Sequence, residues 1–221
     1  MIVAQSRAVR VMALASVLMA AGMVVTASRS QTPGEQTGQA AGGDMPAAKG
    51  AKTLVVNGCP IWQFTRCPRA DFHGARLRGV NLHGADLRGA NLAHADLTNS
   101  LLSGANLDDA DLTGARLYAV FAPSATFRNA KLAGADLSFA SLAVTDFNRA
   151  TLTQATMEKI QGDKARFVGA DLNGVDLQDA QLEDADLQNA DLTGAITRFT
   201  QFRGAYTAGC KGCPTGVGEL Q

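Results

Sequence analysis

Four cysteines, three histidines and a crowd of aspartates are the side chains of this 221-residue chain best suited to chemistry. Cys59 and Cys67 stand in GCPIWQFTRCP, and Cys210 and Cys213 in GCKGCP. Two pairs of thiols suit three roles: a four-thiolate zinc site, a redox-active C-x-x-C, or disulfides in an exported chain. A reactive C-x-x-C wants a helix N-terminus or a fixed cation to hold its thiolate. Cys210 and Cys213 have only Lys211 between them, in a glycine-rich tail, so a structural clamp is expected there. His73, His83 and His94 fall into no nucleophile–base pair and no ligand spacing, and are expected to be solvated surface residues. No catalytic residue, metal or cofactor is expected.

The compartment bears on the cysteines. Arg7 and Arg10 precede an uncharged apolar stretch from Val11 to Ala27, and Val25-Thr26-Ala27 offers small residues where a signal peptidase would cut. Residues 1–27 therefore read as a signal peptide, with an uncleaved membrane anchor as the alternative. Residues 28–52, rich in Gly, Ala, Gln, Thr and Ser, read as a flexible linker. The repeat domain is expected outside the cytoplasm, periplasmic or secreted, where cysteines oxidise.

What must position these residues is a five-residue beat, running without insertion or deletion through twenty-eight units from Ala70 to Gly209. ADFHG, ARLRG, VNLHG, ADLRG and ANLAH open it. Period five fits neither a helix nor a strand, so each unit must be a short extended piece plus a corner. Position three is large and apolar: Leu77 to Leu117 in unbroken series, and Phe72, Phe127, Phe147, Phe167 and Phe202 elsewhere. Position one is small, mostly Ala, with Ile160 the exception. Positions two, four and five are polar or Gly and are expected to face water, with Gly at position five (Gly74, Gly79, Gly84) where a corner needs positive φ.

The pattern resembles the pentapeptide-repeat family over about two thirds of the chain. The resemblance implies an all-β fold, a right-handed four-sided parallel β-helix, a solenoid with four units per coil and about seven coils. At about 4.8 Å per stacked strand its length is roughly 34 Å. Residues 53–69 then form an N-terminal cap with Cys59 and Cys67, residues 70–209 the β-helix, and residues 210–221 a C-terminal tail with Cys210 and Cys213. Cysteine pairs at opposite ends of such a rod cannot meet, since a disulfide needs Cα atoms within about 7 Å. Cys59–Cys67 and Cys210–Cys213 are the expected pairings, and a four-cysteine zinc site within one molecule is excluded. Trp62 and Phe64 are expected to plug the open end of the tube.

Sorted onto four faces, the face opening with Val80, Ser100, Val120, Ala140, Ile160, Ala180 and Thr200 departs most from the pattern. Its inward positions 122 and 162 are Ala and Gly, while Phe121 and Leu101 stand at outward positions. With Tyr118, Pro123, Phe139 and Val144 they form a candidate interaction patch. Phe121 turned inward over Ala122 is the alternative. Charge is also uneven. Arg66, Arg69, Arg76, Arg78 and Arg88 cluster early. Asp171, Asp176, Asp179, Glu183, Asp184, Asp186 and Asp191 form a candidate acidic patch, with no Lys or Arg from Ala170 to Gly194.

These features point to a non-enzymatic exported protein, a protein-interaction or structural scaffold of the cell envelope. Its partner is an unknown protein, with self-association possible and membrane contact only through an uncleaved leader. The resemblance also implies an alternative, mimicry of duplex DNA by rods that bind type II topoisomerases and confer quinolone resistance. Residues 70–209 carry seventeen Asp and Glu against twelve Lys and Arg, thin for a duplex with one phosphate per roughly 1.7 Å. Nucleic acid is not expected as a partner. A secreted effector-associated module is a further alternative.

Overall fold

The computed structural model describes residues 54–214; the leader and linker lie outside them. The fold is all-β, with no helix among the described residues. From Arg66 to Lys211 the backbone is joined by isolated parallel bridges, and every bridge links a residue to the one twenty positions on: Arg66 to Asp86, Asp86 to Asn106, and so to Tyr206, and on the next side Asp71 to Asn91 and so to Lys211. Twenty residues are four units, so each side of the solenoid repeats every fourth unit. The ladder begins one unit before Ala70, with Thr65-Arg66-Cys67-Pro68-Arg69, and reaches the cysteine pair at its far end.

An account of the five backbone N–H groups of a unit explains the residue pattern. Positions two, three and five donate between ladder steps, as in Asn91 to Ala70 O (2.9 Å), Leu82 to Leu101 O (2.8 Å) and Gly84 to Ser103 O (2.9 Å). Position one closes the corner locally, as in Ala85 to Leu82 O (3.0 Å). Position four is left over, and a buried or half-buried N–H must find an acceptor. The side chain at position two supplies it. All thirteen Asp or Asn residues at position two of the described units accept the N–H of position four at 3.0–3.4 Å. This is an Asx turn repeated along the solenoid. Position two was expected simply to face water; its carboxylate or amide instead holds the corner.

Five units without an Asx at position two satisfy or remove that N–H another way. Where position two is Thr126, Arg166 or Gln181, the acceptor comes from position four one ladder step earlier: Asp108 for Arg128 N–H (3.0 Å), Asn148 for Val168 (2.9 Å) and Asp163 for Glu183 (3.3 Å). Where it is Arg66 or Phe121, position four is Pro68 or Pro123, which has no N–H.

The interior takes positions one and three, as expected. Leu77 to Leu192 and the phenylalanines at position three are buried. Phe127, Phe147 and Phe167 stack with centroids 4.9 and 5.1 Å apart and rings within 10° of parallel. Hydroxyls at position one are accommodated because each reaches a carbonyl: Ser100 to Leu77 O (2.6 Å), Thr145 to Ala122 O (2.9 Å) and Thr200 to Leu177 O (2.7 Å). Position five is left-handed throughout, at φ 61° in Gly74 and 60° in Val144.

On the face of Val80 the two small inward residues are offset by larger neighbours at position one. Val120 precedes Ala122, and Ile160 precedes Gly162, all four of them buried. A Cβ added at Gly162 would lie 2.8 Å from Leu182 Cδ2 and 3.4 Å from Ile160 Cδ1, so these two side chains occupy the space.

The N-terminal end is closed by a hairpin, β1 (Leu54–Val56) pairing antiparallel with β2 (Cys59–Ile61). Asn57 and Gly58 turn it with φ of 49° and 81°, the double positive φ of a tight hairpin turn. Cys59 and Ile61 point into the core, and Thr65 Oγ1 donates to Pro60 O at 2.8 Å beneath them. Trp62 and Phe64, expected as the plug, are 41% and 58% exposed. The plug is Cys59 with Ile61, because the Cys59–Cys67 disulfide ties β2 to an inward position of the first unit.

Candidate functional site

Apart from the terminal regions, the exposed large hydrophobic residues of the solenoid fall in one place: Leu101, Tyr118, Phe121, Phe139 and Val144, each 39–55% exposed. Three local features put them there. Leu101 and Phe121 occupy successive position-two sites, joined by a bridge, where Asx residues would elsewhere fold back onto the chain. Tyr118 and Phe139 flank the corner leading into this face, with ring centroids 5.3 Å apart. Phe139 and Val144 stand at left-handed corners, at φ 62° and 60°. A β-branched residue in that region is a backbone strain, and here the strained side chain is exposed. Phe121 points outward, with Val120 and Ala122 buried on either side of it. Pro123 is half-buried beside it.

The setting of the patch is as informative as its members. The outward residues on this face from Asn81 to Val144 include no Asp, Glu, Lys or Arg: Asn81, His83 and Gly84, then Leu101, Ser103 and Gly104, then Phe121, Pro123 and Ser124, then Ser141, Ala143 and Val144. Lys159 follows one ladder step beyond Phe139, with Nζ 5.3 Å from the ring centroid. Lys164 stands in the same relation to Val144. An apolar centre with charges pushed to the margin is the composition of protein–protein interface cores.

The acidic residues are largely occupied with structure. Asp171, Asp176, Asp186 and Asp191 are half-buried and accept the N–H of Asn173, Gln178, Gln188 and Thr193. Glu183 pairs with Arg203 at 2.6 Å and Asp191 with Lys211 at 3.8 Å. Asp179 and Asp184 stand at left-handed corners. The same engagement shows in titration. A hydrogen bond from Arg88 holds Asp86 below the usual carboxylate range against some desolvation. In Asp96 and Asp111 burial pushes upward, but the hydrogen bonds from Thr98 and Thr113 and nearby cations outweigh it, leaving both lowered. Asp146, buried, lies 2.8 Å from Arg128 and 3.7 Å from Arg166.

Both cysteine pairs form disulfides, with Cα separations of 6.0 Å for Cys59–Cys67 and 5.9 Å for Cys210–Cys213. His73 and His94 meet edge to face at 5.6 Å, and His83 meets Phe64 at 5.1 Å. No cluster of three or more His, Cys, Asp or Glu able to hold a metal occurs among the described residues. A surface depression of about 550 Å³ lies between Pro68, Arg69, Arg88, Gly89 and Asp109, open to solvent on the outside of the solenoid. Among the described residues no helix is long and apolar enough to cross a membrane.

A parallel solenoid of five-residue units with an Asx-held corner defines a class of protein, and the sequence comparison agrees. The family model for pentapeptide repeats matches in eight copies over residues 63–93, 90–120, 124–158 and 165–206, and the chain belongs to that family. Among solved structures it is similar to the pentapeptide repeat protein Rfr23 of the cyanobacterium Cyanothece 51142, at 30% identity over 41% of this chain and 63% of that one, with a TM-score of 0.41. The chain thus spans less than two thirds of Rfr23. It is also similar to HetL of Nostoc sp. strain PCC 7120, a pentapeptide repeat protein involved in heterocyst differentiation regulation, at 28% identity over 65% and 78% (TM-score 0.28). Full-length QnrB1, a plasmid-mediated fluoroquinolone resistance protein, aligns at 20% identity over 66% and 88% (TM-score 0.27). No curated protein matches the chain.

Proposed function

We propose that this chain is a non-enzymatic, exported protein-interaction scaffold of the cell envelope, built as a right-handed four-sided β-helix of about seven coils. Bridges twenty residues apart with five-residue units support four sides, and the right-handed sense is the one the family resemblance suggests. The observation that carries the interaction role is the gathering of five exposed apolar side chains, Leu101, Phe121 and Val144 on a stretch of face without Asp, Glu, Lys or Arg and Tyr118 and Phe139 at the corner beside it. A patch of that kind on a monomer marks a partner site, and a stiff solenoid presents it at fixed geometry. Disulfides at both ends and the apolar leader support an oxidising compartment. Mimicry of duplex DNA is disfavoured. Residues 70–209 carry seventeen Asp and Glu against twelve Lys and Arg, thin for a duplex with one phosphate per roughly 1.7 Å.

The test is a photo-crosslinking residue placed at position 121 in living cells, with Thr113 on another face as the control site. A discrete crosslinked product from 121, absent from 113, is expected, and mass spectrometry of the product identifies the partner. No product, or the same smear from both sites, would refute the docking role.

A further inference from the structure

We propose that the partner at this patch is a second copy of the chain, packed antiparallel about a two-fold axis through the Tyr118–Phe139 pair. The inference rests on reading the patch as a protein-docking surface and goes beyond it in naming the occupant. Its basis is the charge on the two faces that share this corner. Between residues 75 and 84 their outward side chains are Arg76, Arg78, Asn81 and His83, with two guanidiniums and no carboxylate. Between residues 175 and 184 they are Asp176, Gln178, Asp179, Gln181, Glu183 and Asp184, with four carboxylates and no cation.

Asp176 stands five bridges beyond Arg76, through Asp96, Arg116, Asp136 and Thr156. The midpoint of that run falls between Arg116 and Asp136, whose units carry Tyr118 and Phe139. The apolar contact therefore bisects the distance between the basic and acidic zones. A two-fold axis there, in the contact plane and perpendicular to the solenoid, brings the corner of one copy against the same corner of the other. Arg76 and Arg78 then face Asp176 and Asp179 of the second copy, and symmetry makes the contact twice. Arg198 and Arg203, one ladder step further on, fall opposite the hairpin of residues 54–64, which has no charged side chain. A parallel dimer would instead set basic against basic and acidic against acidic.

The available surface fits this arrangement. Five side chains about half exposed, three of them aromatic, offer on the order of 400 Å² of apolar area. That is about half of the roughly 800 Å² each partner buries in a stable interface, and the charged zones on either side supply the rim. Arg78 is held at home only by a 3.5 Å contact to Asp96 and is largely exposed, so it is accessible to a partner.

Sedimentation velocity on the disulfide-intact chain tests the proposal, with circular dichroism showing that each variant keeps its fold. The unaltered chain is expected to form dimers, and Phe121→Asp to raise the dissociation constant about thirtyfold or more. Arg76→Glu with Arg78→Glu makes both zones acidic, and Asp176→Lys with Asp179→Lys reduces the acidity of the far zone. Each pair is expected to weaken the dimer about tenfold. The quadruple variant exchanges the signs at the four facing sites and is expected to recover most of the lost affinity, which a parallel dimer could not do. A monomer at every concentration overturns the proposal, as does a dimer indifferent to Phe121→Asp. So does a quadruple variant no better than its parents. A monomer that still crosslinks from position 121 to a different protein would sink the dimer and leave the scaffold reading standing.

Discussion

Ile160 and Gly162 exchange the usual roles of positions one and three, and the exchange predicts a strong energetic coupling. Replacing Ile160 by Ala removes three carbons from a site with no solvent exposure. At roughly 0.8 kcal/mol per CH₂ the transfer cost is about 2.4 kcal/mol. The void adds about 1–2 kcal/mol, because Gly162 has no side chain to move in. The backbone on both sides is held by Gln161 N–H to Ala140 O (2.9 Å) and Gly162 N–H to Gln181 O (2.8 Å). The expected loss is about 4 kcal/mol, read by equilibrium urea unfolding with far-ultraviolet circular dichroism, and a fall in melting midpoint of about 8–16 °C. Gly162→Leu alone overpacks against Leu182 Cδ2 and Ile160 Cδ1 and should cost about 1–3 kcal/mol. The double variant restores the family arrangement of small and large, and should lose no more than about 2 kcal/mol. The cycle then shows a coupling of at least about 3 kcal/mol. Additivity of the two single effects within about 0.5 kcal/mol would refute the claim that these residues share one volume.

Three further outcomes follow from the same geometry. Asp111→Ala should destabilise by about 1–2 kcal/mol by orphaning the Thr113 N–H, whereas Asp111→Asn, which keeps the acceptor, should cost less than about 0.5 kcal/mol; equal effects in urea titrations would contradict the Asx account. Val144→Gly should stabilise by about 1 kcal/mol by relieving the left-handed corner, and a lower melting midpoint would count against that strain. Asp86, Asp96 and Asp111 titrate lower in the folded chain than in the unfolded one, so the folded state binds fewer protons. Their contribution is complete above about pH 4 and is lost as pH falls through the lowered folded values. Urea midpoints should fall steadily below pH 4, and a flat profile down to pH 2 would oppose this.

Much of the solenoid was legible because side-chain size alone sorts positions one and three into the interior. Glycine at position five likewise marks a corner with positive φ. The role of position two was missed because an aspartate facing water and one bonded to an N–H two residues on look alike in composition. Part of the signal was present in two of the exceptions: Pro68 and Pro123 stand where Arg66 and Phe121 offer no acceptor. The hairpin was also readable, from Asn57-Gly58 between apolar residues. Trp62 and Phe64 have the size of a plug, but the disulfide to Cys67 decides which side chains turn inward. The direction of Phe121 was undecided because it depends on whether Val120 already fills the space beside Ala122, a question of three-dimensional packing. The acidic run was readable as a cluster, but its engagement with position-four N–H groups and with Arg203 and Lys211 was not.

The account's central claim, an exported and disulfide-closed scaffold, is tested most directly by the mass of the chain recovered from periplasmic, membrane and cytoplasmic fractions after its thiols are trapped by alkylation. The account predicts a mature chain starting near Ser28, outside the cytoplasm, with all four cysteines protected from the reagent. An unprocessed cytoplasmic chain carrying four alkylated cysteines would contradict it.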